Sequence, residues 1–162
     1  MKRHVSLHPL SQHHHFALIQ ALEIRRARRE PAAKRALALR RVAEKFVRFW
    51  KKAGQQHFRE EEEVLLPAYA RHVLLDADAD VMRMLAEHAA IRAIVADVET
   101  LLAARQPVEE KITELGRLLN DHVRLEENVI FPRVQKVLGE EELAAMGRGL
   151  TRLHRKGESC EM

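Results

Sequence analysis

One eleven-residue phrase occurs twice, 65 positions apart: His57-Phe-Arg-Glu-Glu61-Glu-Glu-Val-Leu-Leu-Pro67 and His122-Val-Arg-Leu-Glu126-Glu-Asn-Val-Ile-Phe-Pro132. Six of the eleven positions are identical, and in each copy a Glu follows the His by four residues. On an α-helix that spacing stacks an imidazole and a carboxylate on one face, within reach of a single ion. A doubled pair points to a doubled metal.

Hydrophobic periodicity tests whether the pairs face inward. Leu39, Val42, Phe46, Phe49/Trp50 and Ala53 form one stripe that runs on through His57 and Glu61 to Val64/Leu65, and Ile112, Leu115, Leu119, His122, Glu126 and Val129/Ile130 form another. Each Glu takes a position that its helix otherwise buries. An ionised carboxylate in a core costs several kcal/mol unless it is paired or coordinated, so two of them demand a cationic partner.

Capping and breaking signals divide the chain into helices. Ser11 can cap a first helix that runs to about Arg29 and is stopped by Pro31. The second runs from the Ala32–Arg35 region to about Leu66, where Pro67 bends or ends it. The third, about 79–104, is capped from the Asp76-Ala-Asp-Ala-Asp80 stretch, and the fourth, about 108–130, has Pro132 where the second had Pro67. A short fifth helix, about 140–156, has Leu143, Met146, Leu150 and Leu153 at core spacing and is closed by Gly157. The expected fold is all-α, an up-down-up-down four-helix bundle over about 8–135 with a short C-terminal fifth helix, in one domain spanning 1–162.

Helices one and three must complete the site. His88 shares a stripe with Val81, Met84/Leu85, Ile91, Val95 and Val98. On helix one the choice lies among His13, His14 and His15, and His14 continues best into Ala17, Leu18, Ala21 and Ile24. The first hairpin is unbalanced, with 17 residues from His14 to Pro31 and 26 from Pro31 to His57, so a late helix start or an overhang must absorb the excess. His72–Asp76 and His154–Glu158 also have the four-residue spacing and read as surface polar pairs.

Rival chemistries are narrowed by what is missing from the sequence. There is no His-Glu-x-x-His, no cysteine cluster for structural zinc, and no Glu-x-x-His for a ferritin-like carboxylate site. The single Cys160 cannot form an internal disulfide, no run approaches the length of a membrane span, and the charged N-terminus has no apolar stretch behind it; the expected location is cytoplasmic. Residues 1–59 carry 15 Lys/Arg against 3 Glu, whereas 60–162 carry 13 Lys/Arg against 21 Asp/Glu. The basic residues mostly fill the polar faces of two helices, and aromatics are 4% of the chain, which argues against nucleic-acid binding.

A lone His, then His-x-x-x-Glu ending in Glu-Glu-x-Val-x-x-Pro, then Glu-His, then a second His-x-x-x-Glu with the same ending, resembles the hemerythrin-like family, the HHE cation-binding domain. The resemblance implies a non-haem di-iron centre inside the bundle, with Glu61 and Glu126 bridging two Fe ions and His14, His57, His88 and His122 as terminal ligands, completed by an oxo or hydroxo bridge. Manganese or a mixed pair suits the same donors. Relatives include oxygen carriers, oxygen and iron sensors, and proteins that repair nitrosatively damaged iron–sulfur clusters.

The chain departs from the carriers in two places. They set a second His four residues from the third-helix His, where this chain has Met84 and Arg92, and they place an Asp one residue later in the fourth-helix motif, where this chain has Glu127 beside Glu126. Four His, two bridging Glu and one bridging oxygen leave two places open on two six-coordinate irons, for water, O2, NO or an extra ligand such as His15. The expected function is to react with or sense O2, NO or iron, in oxidative or nitrosative stress or iron–sulfur repair. The alternative is a binding protein that presents the basic face of helices one and two to an unknown protein partner, with the metal structural or absent.

Overall fold

The computed structural model describes residues 2–159, so Cys160 lies outside the described residues. After a 3-10 turn at Val5–Leu7, α1 spans His8–Ala27. The second helix, α2, is continuous through α-helical Ala32–Phe49, a π-helical turn at Trp50–Gly54, Gln55–Glu60, a second π turn at Glu61–Leu65, and Leu66–Tyr69. Next, α3 spans Ala79–Ala103; α4 joins Glu109–Leu125, a π turn at Glu126–Ile130 and Phe131–Val137; α5 spans Glu140–Ser159. The four long helices form a bundle in which α1 packs on α2 and α4, and α3 packs on α4 and α2. Among the described residues no helix is long and apolar enough to cross a membrane.

Several boundaries differ from the sequence reading, each for a local reason. Helix one begins at His8, not at a Ser11 cap, because Pro9 in its first turn needs no N–H partner and Leu7 and Leu10 are fully buried. Neither Pro67 nor Pro132 ends its helix. A proline ring crowds the carbonyl four residues back, and in both copies the turn ahead of it has widened: Leu66 N–H reaches Glu61 and Phe131 N–H reaches Glu126, five residues back. The excess in the first hairpin is an overhang. Residues 32–38 of α2 are mostly exposed, Leu39 is the first buried position, and Arg40 donates to the Leu102 carbonyl at the end of α3. Helix five runs through Gly157 to Ser159, since a glycine inside a helix costs only ~1 kcal/mol.

At its C-terminus α3 closes in a Schellman arrangement. Gln106 N–H bonds the Leu101 carbonyl and Arg105 N–H that of Leu102, with Arg105 at φ 55°, the left-handed conformation that glycine normally supplies. Its N-terminus is capped by Asp78, whose carboxylate accepts from Asp80 and Val81 N–H and also pairs with Arg133 of α4 at 2.6 Å.

The core consists of two apolar clusters. In α1 the division falls between Leu10 and Ala17, in α2 between Phe58 and Leu65, in α3 between Met84 and Ile91, and in α4 between Val123 and Leu125. At that level lie His14, His57, Glu61, His88, His122 and Glu126, so the bundle carries one polar layer across its middle. Leu143, Met146 and Leu150 of α5 belong to the cluster beside the N-terminus of α1.

Candidate metal centre

All six side chains singled out in the sequence meet in this layer, each no more than 6% exposed. The carboxylates are central and present their oxygens in opposite senses. Glu61 Oε1 lies 3.3 Å from His57 Nε2 and 3.6 Å from His14 Nε2, while its Oε2 lies 3.3 Å from His88 Nε2. Glu126 does the converse: Oε2 is 2.9 Å from His14 Nε2, and Oε1 is 3.1 Å from His122 Nε2 and 3.4 Å from His88 Nε2. Two four-residue groups result, His14/His57/Glu61/Glu126 and Glu61/His88/His122/Glu126, sharing both carboxylates. Of the three helix-one candidates, His14 is the one inside; His15 is exposed and His13 faces Glu60.

These atoms are close together without satisfying one another. His14 Nε2, both His57 nitrogens, His88 Nε2, His122 Nε2 and all four oxygens of Glu61 and Glu126 are buried and lack a hydrogen bond, because the short approaches do not have hydrogen-bond alignment. One such group costs about 1–3 kcal/mol. Eight of these nine, one nitrogen from each His and the four carboxylate oxygens, converge on one spot and form a donor set fit for cations, and imidazole with carboxylate suits iron, manganese or zinc.

Behind the donors runs a second layer that the sequence reading missed. His14 Nδ1 meets Glu127 Oε1 at 2.7 Å, His88 Nδ1 meets Glu62 Oε1 at 2.7 Å, and His122 Nδ1 meets Glu87 Oε2 at 3.1 Å. A carboxylate only accepts, so each Nδ1 carries its proton and Nε2 is left for an ion. Every one of these carboxylates is held by an arginine in turn: Glu127 by Arg3, Glu62 by both terminal nitrogens of Arg92, and Glu87 by Arg83. Glu62 and Glu127 occupy the same position in the two copies of the repeated phrase. The +5 residue turns away from its own helix's His, as the 3.6-residue period requires, and reaches the His of a neighbouring helix instead. The doubled Glu in both copies was the available signal.

His57 differs. Its Nδ1 has no hydrogen bond among the described residues, and its neighbours are the His13 and His14 rings at 5.3 and 4.7 Å. Aromatic rings fix two other imidazoles: Phe58 stacks on His88 at 3.7 Å and Phe131 on His14 at 5.1 Å.

The layer's charge follows from competition between burial and pairing. Burial alone would lower His14, His88 and His122, but the surrounding carboxylates outweigh it: Glu126, Glu127 and Glu61 hold His14 well above its ordinary value, Glu126 and Glu61 hold His88 at about 10, and Glu126 and Glu87 raise His122. Burial wins at His57 and pushes it down to about 4. For Glu61, burial and Glu126 act upward, yet His57, His14 and His88 bring it to about 2; Glu126 is held well below its usual range against burial by His122, His14 and His88. The imidazolium ions occupy the place that cations would take.

His72 pairs with Glu142 at 2.8 Å, and His154 with Glu60 at 3.1 Å.

A family model, the hemerythrin HHE cation-binding domain, matches residues 6–134, which includes all six residues of the centre. No curated protein and no solved structure matches the chain.

Proposed function

The chain belongs to the hemerythrin HHE cation-binding family, and from that premise we propose that it is a non-haem di-iron protein that reacts with or senses O2, NO or iron. The observation that carries the proposal is the convergence of eight buried, unsatisfied donor atoms, four imidazole nitrogens and four carboxylate oxygens, from four helices on one layer. Glu61 and Glu126, each offering one oxygen to either side, would hold both ions, with His14 and His57 completing one group and His88 and His122 the other. Bound there, two irons supply one-electron exchange with a diatomic gas.

The chain's own residues set the conditions. The His–Glu–Arg relays orient three of the imidazoles and strengthen their basicity. Phe58 and Phe131 hold two of them by stacking, and Trp50 packs edge-on against Phe58 at 5.1 Å, keeping bulk water from that side. Each four-residue group offers two imidazoles and two carboxylate oxygens, so positions stay free on a six-coordinate ion, and exposed His15 does not fill them. This favours reaction or sensing over carriage, including roles in oxidative or nitrosative stress or iron–sulfur repair. A cytoplasmic, reducing setting suits ferrous loading. Manganese or a mixed pair fits the same donors.

The alternative, docking through the basic face of α1 and α2, is weakened because Lys45, Lys51 and Arg40 are engaged internally by Glu23, Glu99 and Glu44. The deciding experiment is anaerobic ferrous titration with metal analysis and Mössbauer spectroscopy, followed by exposure to O2 or NO. Two irons are expected in the central layer, with oxidation or NO binding and no reversible carriage. Retention of at most one ion per chain overturns the di-iron reading, and an oxygen adduct that releases O2 through repeated degassing cycles overturns the reactive one.

A further inference from the structure

Glu60 stands where the two copies of the phrase part company. The second copy has Leu125 at that position, buried in the core, whereas the first has a carboxylate that is only 2% exposed. A buried carboxylate in a leucine's place requires partners. Glu60 finds one on its own helix, Gln56 Nε2 donating to its Oε1 at 3.4 Å, and two on other helices: His154 Nδ1 of α5 lies 3.1 Å from its Oε1, and His13 Nδ1 of α1 lies 3.5 Å from its Oε2. That His13 nitrogen is buried and makes no hydrogen bond. The two imidazoles lie side by side, 5.9 Å apart and 29° from parallel, and the three donor atoms all fall within 4.8 Å of one another.

We propose that His13, Glu60 and His154 form a third cation site, for a divalent transition-metal ion, on the flank of the bundle where α5 closes the seam between α1 and α2. Metal–donor bonds of ~2.1 Å at tetrahedral or octahedral angles set donors ~3.0–3.4 Å apart, close to the two His–Glu spacings seen here. Two imidazoles and one carboxylate favour zinc or ferrous iron over the hard ions magnesium and calcium. The site abuts the central layer through its chain neighbours, since His13 precedes His14 and Glu60 precedes Glu61. One turn of dipeptide thus supplies a donor to each of two adjoining sites, because consecutive residues on a helix point about 100° apart. His154 is half-exposed, which opens this site to solvent while the central donors are enclosed.

The test is Zn2+ binding to the full chain, stripped of metal, by calorimetry and by metal analysis after gel filtration. Wild type is expected to retain three ions and both His154→Ala and Glu60→Leu two; Glu60→Leu copies the second repeat's own residue, so it tests the carboxylate without opening a cavity. Equal stoichiometry in wild type and both variants overturns the third site, whatever the central pair binds. A wild type that retains one ion, lost in His154→Ala, upholds the third site and removes the dinuclear reading instead.

Discussion

Loading the central layer with metal should expel protons, and their number follows from the electrostatics of the empty site. At pH 7.5 His88, held at about 10, is imidazolium, His57, pushed to about 4, is neutral and Glu61, at about 2, is ionised, while the carboxylates hold His14 well above its ordinary value and raise His122. A metal takes only the neutral imidazole, so loading displaces the His88 proton together with the protons that the raised His14 and His122 hold. Each displaced proton contributes about 1.36 kcal/mol per pH unit, so the His88 proton alone should strengthen the combined binding of the pair by about tenfold per unit below about 10. The metal-free fold has the opposite dependence. A His raised on folding contributes stability that is complete below pH 6.5 and is lost as pH climbs through the folded value, about 10 for His88, so the apo protein should weaken from neutral to alkaline pH while the loaded protein does not. The assay is an anaerobic titration in weak buffer with a pH indicator, using His154→Ala so that only the central layer loads. Release of less than one proton per two ions, or affinity independent of pH between 6.5 and 8, would refute the charge assignment.

Glu61→Ala or Glu126→Ala should abolish retention of the pair, whereas Glu62→Gln or Glu127→Gln should weaken it by about 10–100-fold through the imidazoles they orient, and exposed Glu63→Ala should leave it unchanged; competition with a chelator measures all five. Gly116→Ala should destabilise the fold by about 1–3 kcal/mol in denaturant melts, since a Cβ there would sit 2.9 Å from Ile24 Cγ2 across the close contact of α4 with α1. Arg105→Gly should stabilise it by about 0.5–1 kcal/mol, because the left-handed residue ending α3 loses its Cβ strain; an unchanged or lower melting midpoint would count against that account.

The fold class and the six central residues were legible in the sequence because both rest on spacing within single helices. A 3.6-residue period places His57 with Glu61 and His122 with Glu126 on faces that are otherwise apolar, and the same stripe rule selects His88 and prefers His14 to its neighbours. Burial then makes a cation the natural partner, since uncompensated carboxylates cannot occupy a core. Relations between helices were not legible, because they depend on the rotation and rise of each helix against the next, and these depend on packing. Glu62 and Glu127 look like solvent-facing acids along their own helices and become the supports of His88 and His14 only across the bundle. Pro67 reads as a bend or an end and Pro132 takes its place in the second copy; π turns within the packed bundle carry both helices past them. Glu60 and His154 lie 94 positions apart, and their meeting depends on where α5 settles against the seam of α1 and α2, which local periodicity does not specify.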